Sequence, residues 1–143
     1  MTEPTRAPIW FWIAGAIALI WNGLGLLAYI QQISMSTQEF AALPQQQQDL
    51  LADQPSWVMA AFAVAVFSGF VAAIALLLRK RVAVRLFLLS LLAVIVQFSS
   101  YFIIDGYLEF IAGQGWTMPI LIIIFAVGFA WIAWRAEQQG LLR

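Results

Sequence analysis

Leu76-Leu77-Leu78-Arg79-Lys80-Arg81-Val82-Ala83-Val84-Arg85 is the stretch that decides the fold. Its cations interrupt a sequence that is otherwise uncharged over residues 54–78 on one side and 86–104 on the other. Each flanking run meets the roughly 20 residues that a helix needs to cross the hydrocarbon layer. Two further uncharged runs, 7–38 and 110–134, complete a set of four. The reading is an all-α polytopic membrane protein, a four-transmembrane-helix bundle in a single membrane domain of residues 1–143. The spans are expected near residues 9–31, 57–78, 83–104 and 116–135.

Composition requires the same conclusion. A chain of 143 residues that is 64% hydrophobic and 10% charged cannot hide its apolar surface in a soluble core, because a small domain leaves too much surface exposed. The charges then sort by side. Arg6, the Arg79, Lys80, Arg81 and Arg85 turn, Arg135 and Arg143 fall on one face of the implied membrane. Glu39, Asp49, Asp53, Asp105 and Glu109 fall on the other, and only Glu3 and Glu137 share the basic side. Short loops rich in Lys and Arg stay in the cytoplasm. Both termini and the Arg79–Arg85 turn are therefore expected there, in a multi-pass protein of a cytoplasmic (inner) membrane. That turn serves as a topology determinant and meets anionic lipid headgroups. The first span is longer than a signal-peptide core and no cleavage-site pattern follows it before Ser34, so it is expected to be retained.

The chain has neither cysteine nor histidine. Disulfides, thiol redox chemistry, thiolate metal sites and the usual haem and zinc ligand are thereby excluded. No cofactor, metal or nucleic-acid partner is expected, and with no nucleophile and base pair an enzyme is not expected either.

Six tryptophans, Trp10, Trp12, Trp57, Trp116, Trp131 and Trp134, fall at the ends of spans, where amphipathic rings anchor at headgroup level. Trp21 is the exception, near mid-span beside Asn22. Between the first two spans, residues 32–56 form the only sizeable extramembrane segment. Ser36 and Glu39 have capping-box spacing and Pro44 divides two short helical pieces, so a short amphipathic helical segment on the outer face is expected. Residues 45–48, a run of glutamines, read as a solvated helix face.

Ala61, Ala65, Gly69 and Ala73 recur at intervals of four on the second span, a small-residue face along which helices pack closely in lipid. Its partner is another helix of the chain or a second copy. Trp57, Met59, Gly69 and Phe70 are echoed 59 residues later by Trp116, Met118, Gly128 and Phe129, a faint internal repeat. Gly23 and Gly25 permit either close packing or a break in the first span.

The third span carries Ser90, Gln97, Tyr101 and Asp105 on one face, and the first carries Asn22 and Tyr29. Twelve residues separate Trp10 from Asn22 and Arg85 from Gln97, which places both amides about 18 Å above the same interface. An amide at that depth must find a partner. Asn22 and Gln97 either bond each other as interhelical glue or, with Tyr29, Tyr101 and Asp105, line a pocket for a neutral polar solute. No carboxylate lies in the membrane core, which argues against ion-coupled transport.

Trp21-Asn22 with Gly25, the segment from Pro55 to Gly69, and Leu76-Leu77-Leu78-Arg79-Lys80 resemble a family of small bacterial four-helix inner-membrane proteins often labelled sugar transporters. The resemblance covers most of the chain. It implies a carrier or channel-like subunit for a small neutral polar solute such as a sugar. Four helices leave little room for a pathway, so a homodimer joined through a small-residue face such as that of the second span is expected. The alternative is an accessory or structural membrane protein packed against a larger complex. Membrane lipids are partners in either case.

Overall fold

The structure, a computed structural model, describes residues 5–143; Glu3 lies outside them. Among the described residues it is all-helical, with seven helices: α1 Ile9–Ile33, α2 Thr37–Ala41, α3 Gln45–Ala52, α4 Ser56–Leu77, α5 Val82–Ile103, α6 Tyr107–Gln114 and α7 Thr117–Gln138. Helices α1, α4, α5 and α7 are long and apolar enough to cross a membrane. Their outward faces carry bare Ile, Leu, Val and Phe side chains, such as Ile20 at 64% exposure and Phe102 at 76%. Only lipid accommodates such a surface.

In α4 the small face meets the neighbouring helices. Ala61, Ala65, Gly69 and Ala73 are all buried, and α4 packs along α5 and then along α1. The small residues let α5 come close enough for the Ser90 hydroxyl to donate to the Ala65 carbonyl at 2.7 Å. The α4 face is thus used inside the chain, against other helices of the same chain. Helix α5 also packs on α7, whereas α7 and α1 scarcely meet. Around the bundle the order is α1, α4, α5, α7, with an open seam where the ring would close.

Chain direction and charge give the bundle a basic end and an acidic end. At the basic end two helices finish in paired turns. At the end of α4 the Lys80 N–H donates to the Ala75 carbonyl and the Arg79 N–H to the Leu76 carbonyl, and at the end of α7 Leu141 and Gly140 bond Ala136 and Glu137 in the same pattern. Each is a Schellman cap, which needs a left-handed residue. Gly140 supplies it at φ 68° without strain, but the other cap uses Arg79 at φ 59°. That conformation costs a side-chain-bearing residue about 1–2 kcal/mol. The Arg79 guanidinium offsets the cost: Nε donates to the Leu141 carbonyl at 2.7 Å and Nη2 to the Thr5 carbonyl at 2.8 Å. Backbone bonds between Arg143 and both Arg79 and Arg81 complete the clamp. Leu141 and Leu142 are buried beneath it at 2% exposure.

At the acidic end the helical segment expected before Ser56 is present as α2 and α3, parted at Pro44. Ser36 caps α2 as its spacing indicates: its hydroxyl accepts from the Glu39 N–H and the Glu39 carboxylate accepts from the Ser36 N–H. These two bonds hold the Glu39 carboxyl below its ordinary pKa. The glutamine run is more than a solvated face, because Gln48 Nε2 donates to the Leu43 carbonyl at 2.7 Å and closes the α2–α3 turn. Helix α6 was not expected. It is set off by Gly106 at φ 80° and Gly115 at φ 97°, and it packs on α3 and α5. The six end-of-span tryptophans all lie exposed. Helix α1 runs unbroken through Gly23 and Gly25, which are packing positions against Phe70 and Val66.

Candidate functional site

The bundle is filled in its basic half and hollow beyond it. Phe11, Ala18, Ala72, Leu76, Phe87, Phe129 and Ala133 form a continuous core in the basic half. Above the level of Phe87 and Phe129 lies a cavity of about 310 Å³ that extends toward Ala28, Tyr101 and Met118. This volume falls at the lower end of the range for small-molecule sites.

Most of its wall is aromatic or aliphatic. Trp21 stacks on Phe125 with ring centroids 4.2 Å apart and a 28° tilt, which accounts for the one tryptophan outside the headgroup belts. Across the cavity Phe98 stacks on Tyr101 at 5.0 Å and 20°. Phe62, Phe87 and Phe129 add further ring surface. The polar groups are few: Asn22, Ser90, Gln97 and Tyr101, with no ionisable carboxylate, Lys or Arg among them.

Asn22 and Gln97 line the same cavity, as their common depth indicates. They are not glue. Asn22 Nδ2 donates to the Ala18 carbonyl of its own helix at 2.8 Å, and among the described residues no hydrogen bond joins the two amides. Asn22 Oδ1 instead rests over Gly69, where any Cβ would collide with it and would also crowd Ser90 Oγ. Among the described residues the side-chain hydrogen bond between spans runs from Ser90 to Ala65. Ser90 was visible as part of the polar stripe, but its acceptor is a backbone carbonyl exposed only because Ala65 and Gly69 have small side chains.

Tyr101 lines the cavity, while Tyr29 and Asp105 do not. Tyr29 turns edge-on to Phe62 and Phe67, with centroids at 5.4 and 5.8 Å. Asp105 is exposed in the turn after α5, held away from the spans by the left-handed Gly106. Arg79 is half engaged in the clamp, while Lys80, Arg81 and Arg85 mark the basic end.

A second, more polar chamber of about 540 Å³ lies at the acidic end beneath α2, α3 and α6, with Gln31, Gln32, Glu39, Gln47 and Tyr107 on its wall. Ala28 borders both spaces. Tyr107 of α6 stands edge-on to Tyr101 at 5.0 Å and receives a long, 3.5 Å hydrogen bond from Gln54 Nε2. Burial pushes the Tyr107 phenol above its ordinary pKa, so it stays a neutral hydroxyl. Sequence reasoning missed Tyr107 because the turn between the third and fourth spans was read without a helix; Gly106 and Gly115 bracketing an apolar octet were the available signal.

No group of His, Cys, Asp or Glu side chains among the described residues is arranged to hold a metal ion. Comparison of the chain with protein-family models, curated proteins and solved structures finds no match.

Proposed function

We propose that this chain is a small carrier or channel-like subunit of the cytoplasmic membrane, with both termini cytoplasmic, that takes a small neutral solute from the acidic side. One observation carries the reading: an uncharged, ring-lined cavity holds two membrane-depth amides that do not satisfy each other. Asn22 and Gln97 are half-buried, and an unpaired amide at hydrocarbon depth is costly, so a ligand that bonds Gln97 and the free positions of Asn22 recovers part of that cost. The lining also narrows the solute class. A sugar's ring of hydroxyls outnumbers the polar groups present, and each unmatched hydroxyl carries the same penalty. A flat molecule with one apolar face and one or two hydrogen-bonding groups matches the Trp21 and Phe98–Tyr101 surfaces better.

Paired substitution tests this against the accessory reading, which the broad lipid-facing surfaces of α1 and α7 favour. In proteoliposomes the Asn22→Leu, Gln97→Leu double variant is expected to insert stably and to lose uptake of neutral aromatic amides or alcohols at least tenfold. Uptake equal to that of the parent chain, or none above protein-free vesicles in either, sinks the carrier reading.

A further inference from the structure

The seam between α1 and α7 is a groove of about 730 Å³ at the basic end, distinct from the cavity. The stacked Trp21 and Phe125 rings stand between the two spaces, Phe125 facing the groove and Trp21 the cavity. One groove wall carries Trp10 and Ile17, the other Phe125, Gly128, Trp131 and Arg135. Gly128 leaves a true gap, since a Cβ built there meets nothing within 4 Å. The Arg135 guanidinium lies over the Trp131 ring at 5.4 Å, at the mouth of the groove, and no carboxylate lines the groove to neutralise it.

We propose that this groove holds one anionic phospholipid, with an acyl chain along the Gly128 gap and the phosphate on Arg135. Length, chemistry and charge agree on that occupant. From Arg135 to Phe125 the helix rises about 15 Å, half of a hydrocarbon layer about 30 Å thick, so the groove is one leaflet deep. Its apolar floor and its ring-flanked cationic mouth are stacked in the order of a lipid's tail and headgroup. A second copy fits worse: a two-fold axis through the groove would set two Arg135 side chains against each other with no acidic partner on the lining.

Native mass spectrometry of the purified full chain, released from mixed micelles holding equal phosphatidylglycerol and phosphatidylcholine, tests the proposal. The parent chain is expected to keep one phosphatidylglycerol in about fivefold preference, the size expected for one cation at an anionic surface. Arg135→Gln is expected to bring the two lipids to parity, and Gly128→Leu to remove the retained lipid while leaving the chain folded. Equal retention of both lipids by the parent chain overturns the proposal, as does unchanged phosphatidylglycerol retention in both variants. A parent dimer that Gly128→Leu converts to monomer assigns the groove to a second copy instead.

Discussion

The two halves of this bundle are cut from the same four helices and much the same residue types, yet they pack differently. In the basic half Phe11, Ala18, Ala72, Leu76 and Ala133 are all fully buried, and three chain segments are tied together by Arg79. In the acidic half larger rings, Trp21, Phe62, Phe98 and Tyr101, line a cavity beside a smaller buried cluster of Ala65, Ala93, Val94 and Phe98. Small residues bring backbones together in lipid. The contrast teaches that one set of helices can be closely filled at one end and leave a ring-lined cavity at the other.

The largest expected effects come from filling or emptying space in the packed half. Phe11→Ala is expected to destabilise the bundle by about 2–4 kcal/mol, since in lipid the transfer part of the cost is small and the cavity part remains. Phe62→Ala, on the cavity wall, is expected to cost less than half as much. Unfolding both variants in mixed micelles of mild and denaturing detergent checks the ratio, and equal losses would erase the distinction between the halves. Gly69→Ala comes next, at about 1–3 kcal/mol, because its new methyl collides with Asn22 Oδ1. Gly128→Ala, its partner in the 59-residue echo, is expected to be neutral or slightly stabilising in the same assay. At this glycine pair the echo therefore relates positions that have no common environment.

Much of this architecture was legible from residue type and spacing. Charge fixed the ends of the spans to within about three residues, since the hydrocarbon layer tolerates few exceptions. The Ser36–Glu39 capping box and the Pro44 break were legible because both act locally. The common depth of Asn22 and Gln97 followed from helical rise alone. Rotation did not follow: depth says nothing about which way a side chain turns, so Tyr29 went to the Phe62–Phe67 rings. Nor could spacing show that Asn22 would bond its own helix at Ala18. Trp21, the residue that resisted explanation by headgroup anchoring, proved to be a wall of the cavity.

Smaller effects sharpen the comparison at its two ends. Arg79→Ala is expected to cost about 1 kcal/mol more than Arg79→Gly, because both lose the clamp but only alanine keeps the left-handed strain. Faster amide exchange at Leu141 and Arg143 in both variants would report the lost clamp, and equal stability of the two would remove the strain argument. At the acidic end the Glu39 cap supplies the smallest effect. Its carboxyl is held below its ordinary value of 4.5 by the Ser36 bonds, so its contribution is full above that value and is lost as pH falls through the lowered one. Amide exchange of α2 is expected to accelerate over that acid window in the parent chain, and to show no such step in Glu39→Gln.

The central claim is that the acidic half is open to a neutral solute down to Gln97 while the basic half is dry. A chain without cysteine allows a direct test by single substitution. Ala28→Cys, Gln97→Cys and Ala72→Cys can each be treated with an uncharged, water-soluble maleimide in proteoliposomes. Rapid labelling is expected at positions 28 and 97 and none at 72. A Gln97→Cys thiol as silent as that at position 72, beside a reactive one at position 28, would contradict the claim.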